Sequence, residues 1–218
     1  SALMNNWPCK VIPNCLDTKQ WQPLNKLFAR KLLNLPNNSP ILAFGTFNSN
    51  NQYYKGFDLL IKSLEYLKTR KNSINLVIFG QNEPRNPINY GFPTYYLGML
   101  KDSYSLKALY SASDIFLVPS RIESFCQTAS EANSCGTPVV SYNVGGLTDI
   151  IKHKETGYLA YPFDVKDFAN GILWILEENS LGKKLNKLSR ERAVNNWDYS
   201  IVSKKFENLY EEIILNKL

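Results

Sequence analysis

Residues 115–142 read IFLVPSRIESFCQTASEANSCGTPVVSY, and the architecture follows from their three parts. Ile115–Val118 is an apolar run of strand length closed by Pro119. A helix is expected from about Phe125 to Cys135, stopped by Gly136, since glycine accepts the left-handed turn that ends helices. Val139–Tyr142 is the next strand. A strand apolar on both faces, followed by a helix and another strand, belongs in a parallel sheet covered on each side.

The same order extends outward in both directions. Upstream, Ile41–Gly45 (ILAFG) is a strand ending in glycine, followed by a polar loop and GFDLLIKSLEYLKTR, in which Phe57, Leu60, Ile61, Leu64 and Leu67 recur at helical spacing. Leu76–Phe79 closes on Gly80, Tyr95–Leu97 closes on Gly98, and a helix runs through Leu106–Ala112. Downstream come a Gly145-Gly146 turn, a short helix around Leu147–Ile151 and a strand at Tyr158–Ala160. The expectation is an α/β fold, a Rossmann-like doubly wound parallel sheet over residues 41–218. Val165–Leu218 supplies two or three added C-terminal helices, packed through Trp174, Trp197 and Tyr210. Residues 1–40 are punctuated by Pro8, Pro13, Pro23, Pro36 and Pro40 and read as a lead-in segment outside the core, with Val11-Ile12 as an edge strand.

Composition narrows the function classes. The chain has 218 residues, 44% of them hydrophobic, which is enough to bury a core and excludes a disordered chain. A net charge of +6 favours anionic ligands, but the basic residues are spread along the chain, which argues against nucleic acid as partner. Cys9, Cys15, Cys126 and Cys135 show no C-x-x-C spacing and fit a reduced, cytoplasmic setting. With His153 as the single histidine, neither a His/Cys metal site nor a Ser-His-Asp triad is expected, and His153 reads as a surface-turn residue. No apolar run reaches the ~20 residues of a membrane span.

In an open parallel sheet, ligands bind at the carboxyl ends of the strands. Two loops there carry chemistry. Lys55 stands at the mouth of the helix that begins near Phe57, where unpaired N–H groups and the helix dipole favour a phosphate. It is equally readable as an exposed lysine before a helix, and neither G-x-G-x-x-G nor G-x-x-x-x-G-K-[ST] is present in this loop. In the other loop, Glu123 precedes a helix and Glu131 lies about one and a half turns inside it. Two carboxylates flanking a helix N-terminus suit a molecule with hydroxyls at both ends and phosphates between, such as a nucleoside diphosphate sugar. The alternative is that Glu123 complements the helix dipole and Glu131 is a surface residue.

The run ESFCQTASEANSCGTPVV, followed by GGLTDII and GYL, resembles the E-x7-E signature of the retaining GT-B glycosyltransferases of family 4, the glycosyl transferases group 1. VIPNCLDT, ILAFG, KGFDLLIKSL, LVIFG and LYSASDIFLVPS resemble further segments of the C-terminal half of these enzymes in the same order. The resemblance implies a catalytic and diphosphate-binding role for Lys55, a catalytic and sugar-hydroxyl-binding role for Glu123, and ribose binding by Glu131. It places the sugar or distal phosphate on backbone N–H groups of Ser124, Phe125, Cys126 and Gln127, and the base near Gly98, Met99 and Leu100. The donor would be UDP- or GDP-linked, with no metal and no cofactor.

It also implies an N-terminal acceptor domain absent from this chain, a glycan or lipid-linked acceptor, and peripheral contact of the intact enzyme with the inner face of the cytoplasmic membrane. The implied reaction is hexosyl or amino-sugar transfer in bacterial surface-polysaccharide synthesis, with the fragment alone inactive. A non-catalytic nucleotide-sugar-binding module and a GT-B-fold sugar-nucleotide epimerase are the alternatives. Three positions depart from the family pattern. Thr46 and Phe47 stand where a diphosphate-binding arginine is usual, leaving Arg121 as the substitute, and Cys126 and Cys15 each replace a glycine.

Overall fold

The computed structural model describes residues 7, 9–45, 53–71, 73–177 and 179–215. Eight helices and six strands lie among them: α1 Lys26–Leu32, β1 Ile41–Gly45, α2 Phe57–Lys68, β2 Asn75–Phe79, β3 Thr94–Tyr96, α3 Ser103–Ala112 and β4 Ile115–Val118. There follow α4 Gln127–Ser134, β5 Val139–Tyr142, α5 Leu147–Ile150, β6 Gly157–Ala160, α6 Val165–Glu177, α7 Asn179–Trp197 and α8 Tyr199–Leu215. The strands form one sheet in the order β3-β2-β1-β4-β5-β6. Every pairing is parallel. The doubly wound Rossmann-like expectation therefore holds.

The apolar strands have this arrangement because a period of two sends alternate residues to opposite faces. Ile41 and Ala43 of β1, Val77 and Phe79 of β2, and Phe116 and Val118 of β4 enter one core, with α1, α3 and α4 above them. Their neighbours Leu42, Phe44, Leu76, Ile78, Ile115 and Leu117 enter the other, beneath α2 and α6. Chain order reverses between β1 and β4, which are paired through Leu42 with Ile115 and Ala43 with Phe116. A crevice at the carboxyl ends is thereby created at this seam.

Residues 9–40 differ from the expectation. Val11-Ile12 is not a strand, whereas Leu16, Trp21, Ala29 and Leu35 are part of the core. Helix α1 is capped by Asn25, whose side chain accepts from the Phe28 N–H. Arg30, buried on this helix, donates to the Ala112 carbonyl and pairs with Asp114 at 2.6 Å, while the same Asp114 oxygen accepts the Ile41 N–H. A charged residue facing inward on a two-turn helix breaks the apolar periodicity, so the segment reads as polar. At the other end, Trp197 is buried and Trp174 packs against the α2/α6 core, but Tyr210 is exposed because α8 touches the body mainly through Val202. No helix among the described residues is long and apolar enough to cross a membrane.

Candidate functional site

Three loops at the carboxyl ends of the strands are fastened together through their backbones. Gly56 has φ +65°, and a Cβ there would fall 1.9 Å from the Pro119 carbonyl oxygen, so only glycine lets the Lys55 turn approach β4 this closely. The Arg121 N–H donates to the Tyr54 carbonyl at 2.7 Å. From the other side, the Gly146 N–H donates to the Glu123 carbonyl at 2.9 Å, and a Cβ on Gly146 would meet the Ser124 carbonyl oxygen at 1.9 Å. The loops after β1, β4 and β5 therefore hold one another.

Between them opens a cavity of about 300 Å³. Phe44, Phe79 and Phe116 contribute to its apolar floor, and Lys55, Glu123 and Cys126 bring polar groups to it. Lys55 Nζ donates to Glu123 Oε1 at 2.5 Å, and Ser120 Oγ donates to the same oxygen at 2.9 Å. The Glu123 side chain is 11% exposed and that of Lys55 56%, so the carboxylate is fixed and the lysine is reached from outside. Cys126 caps α4 in the left-handed region at φ +64°, ψ 76°, a conformation that favours glycine. Among the described residues, the backbone N–H groups of Phe125, Cys126 and Gln127 donate to no protein acceptor. They stand at the start of α4 as free donors.

Glu131 has a different environment. It is 9% exposed, and Tyr110 on α3 donates its hydroxyl to Oε2 at 3.0 Å. Burial pushes its carboxyl up to about 7, against the opposing effect of the hydrogen bonds from Tyr110 and Gln127. The reading of Glu131 as a surface residue is thus corrected.

Of the residues singled out from the sequence, Lys55, Met99, Leu100, Glu123 and Cys126 line the cavity together. Gly98, Ser124, Phe125, Gln127 and Glu131 do not line it. Gly98, at φ +65°, accepts the Gly80 N–H through its carbonyl and leads into Met99, while Phe125 packs edge-on against Trp197. Arg121 does not line it and is engaged elsewhere. Both its terminal nitrogens donate to Asp58 at 2.7 Å, its guanidinium lies 4.2 Å from the Tyr53 ring centroid, and the pairing holds the Asp58 carboxyl below its usual range. Thr46 and Phe47 lie outside the described residues. Cys15 is not among the positive-φ positions, so the side chain is accommodated there without backbone strain. His153 is exposed and accepts the Leu159 N–H, as a turn residue would. Sequence reasoning missed Ser120, Tyr110 and the Asp58–Arg121 clamp. Tyr110 and the clamp act through partners on other elements, so spacing carried no sign of them, while Ser120 lies only three residues from Glu123 in a loop whose turn brings the two together.

A family profile, glycosyl transferases group 1, matches residues 30–192, most of the cavity-bearing fold. The chain belongs to this family. An uncharacterized glycosyltransferase of Methanocaldococcus jannaschii is 29% identical over 166 residues, which cover 73% of this chain and 42% of that protein. Sucrose-phosphate synthase from Thermosynechococcus elongatus superposes with a TM-score of 0.79 at 27% identity, over 99% of this chain and 56% of its own. Anabaena HepE, solved in complex with UDP and glucose, has the same fold, with a TM-score of 0.73 at 19% identity over 93% of this chain and 56% of its own. The group 1 chain described here spans about half the length of the curated relatives it matches.

Proposed function

We propose that this chain is the donor-binding half of a retaining glycosyltransferase, which takes a sugar from a nucleoside diphosphate and passes it to an acceptor hydroxyl held by an N-terminal domain. The observation that carries the reading is the Lys55–Glu123 pair at the rim of a cavity at the strand carboxyl ends, beside the free N–H groups that begin α4. The likeness to HepE, which was solved with UDP and glucose, supports the same chemistry.

In this reading the diphosphate draws Lys55 away from Glu123. The lysine then neutralises the leaving group, where one well-placed donor is typically worth ~3 kcal/mol of barrier. The same movement leaves Glu123 free to accept a sugar hydroxyl, with Ser120 keeping its carboxylate in place. N–H groups of Phe125, Cys126 and Gln127 meet the distal phosphate or sugar, Met99 and Leu100 face the base, and Glu131 accepts from the ribose. Lys55 is the phosphate cation of this half, since Arg121 is committed to Asp58. Lys55 and the N–H groups at the start of α4 offset the diphosphate charge, so no resident metal or cofactor is called for. The acceptor is a glycan or a lipid-linked glycan, and the process is bacterial surface-polysaccharide synthesis at the cytoplasmic face.

The test is calorimetric titration of the 218-residue chain with UDP, GDP, ADP and their sugars. One diphosphate is expected to bind, and Lys55→Ala and Glu131→Ala each to weaken it by about 1–3 kcal/mol. Binding that both substitutions leave intact would sink the assignment.

A further inference from the structure

We infer that Tyr110 is a positioning residue for the nucleoside end of the donor, acting through Glu131: its hydroxyl orients that carboxylate and keeps it in the form that accepts ribose hydroxyls. The inference rests on the ribose role proposed for Glu131.

The argument begins with burial. Tyr110 is fully buried on α3, with its ring centroid 5.9 Å from that of Trp21, 6.4 Å from Phe79 and 5.3 Å from Phe116. For packing alone a phenylalanine would serve. A hydroxyl in such surroundings persists only with a partner, and that partner is Glu131 Oε2. The tyrosine cannot turn away, because three aromatic rings crowd it and its own carbonyl accepts the Thr137 hydroxyl at 2.6 Å. A rigid donor on α3 thus meets a carboxylate on α4. Tyr110 occupies Oε2, which leaves Oε1 as the oxygen turned to a ligand.

Charge completes the case. The groups facing Glu131 are Tyr110 from α3, Gln127 one turn earlier on α4 and Cys135 one turn later, with Cys126 acting on Tyr110. Lys107 and Arg190 act on Cys135 beyond it, and among the described residues no cation is paired with Glu131 itself. Burial therefore drives the carboxyl up to about 7, and Tyr110 is the foremost group that pulls it back. A carboxylate accepts from both ribose hydroxyls, whereas its protonated form gives up one accepting position. The hydroxyl of Tyr110 thereby governs how well the site distinguishes ribose near neutrality.

Tyr110→Phe keeps the ring volume and removes only the donor. Carbon-13 NMR titration of the Glu131 carboxyl in the unliganded chain is expected to give a higher midpoint in this variant, and an unmoved midpoint overturns the inference. If Tyr110→Phe fails to fold, site-specific 3-fluorotyrosine at position 110, a stronger donor, replaces it, with the midpoint expected to fall. The second readout is the ratio of affinities for UDP and 2′,3′-dideoxy-UDP as a function of pH, in which titration of the diphosphate cancels. The wild-type ratio should drop as pH falls through about 7. In Tyr110→Phe the drop should begin at higher pH, with the ratio at pH 7 lower by about three- to tenfold. On a Glu131→Gln background the tyrosine substitution should change nothing. A ratio that Glu131→Gln lowers and Tyr110→Phe leaves alone overturns the role of Tyr110 while the proposed function stands. Equal wild-type affinity for the two nucleotides overturns the ribose role itself, and with it this inference.

Discussion

Glu123 lies just ahead of α4 and Glu131 in its second turn, yet the fold gives them opposite partners. Glu123 is held by an exposed cation and a serine, Glu131 by a neutral phenol inside the core. The first arrangement can be rearranged by an incoming anion because Lys55 is free to swing. The second cannot, because Tyr110 is surrounded by aromatic rings. Two identical side chains at the spacing of a recognised motif are therefore different devices, one movable and one fixed.

The largest expected effect concerns the fixed end. With an ordinary value of 4.5 and a folded value of about 7, Glu131 is protonated in both states below pH 4.5, and between those values only the unfolded chain has released its proton. The stabilisation it gives at low pH is accordingly lost as pH rises through this window, by about 3 kcal/mol in all. Chemical denaturation across the window should show this slope, and Glu131→Gln should remove it. A slope that survives the substitution would break the contrast. Next in size, Lys55→Ala should weaken binding of a nucleoside diphosphate by about 2 kcal/mol, read by calorimetry, with a smaller effect on unfolding because the lysine is exposed and Ser120 still donates to Glu123. A smaller effect is expected for Arg121→Ala, which removes the side-chain clamp on Asp58 and the Tyr53 carbonyl while the backbone bond to Tyr54 remains. Donor affinity should fall by about 1 kcal/mol, less than for Lys55→Ala, with Asp58 titrating closer to its ordinary value. The smallest is Cys126→Gly, which relieves a left-handed position and should raise unfolding stability by up to about 1 kcal/mol.

The sheet was legible because β1, β2 and β4 are apolar on both faces and close on glycine or proline, so their place between two helical layers follows from period and punctuation. Lys55 and Glu123 were legible for a related reason, since the carboxyl end of a parallel strand is where function collects. The first forty residues were not, because Arg30 enters the core by pairing with Asp114, a bond between positions whose sequence separation hides it. Tyr110 was hidden in another way. In LYSASD it looks like any core aromatic, and only the neighbouring helix explains its hydroxyl. Tyr210 misled in the opposite sense, since an aromatic at helical spacing suggests packing and α8 leaves it exposed.

The Arg30–Asp114–Ile41 cluster decides where this protein can be cut. Asp114 Oδ2 accepts both from Arg30 and from the N–H that opens β1, and Leu16 reaches further back, its N–H bonded to the Trp197 carbonyl at 2.7 Å. A recombinant version started at Ile41 would leave that carboxylate without its guanidinium and strip Trp21 and Ala29 from the α3 face. The smallest portion fit for expression and crystallisation therefore starts ahead of Leu16, although the motif-bearing strands begin only at Ile41.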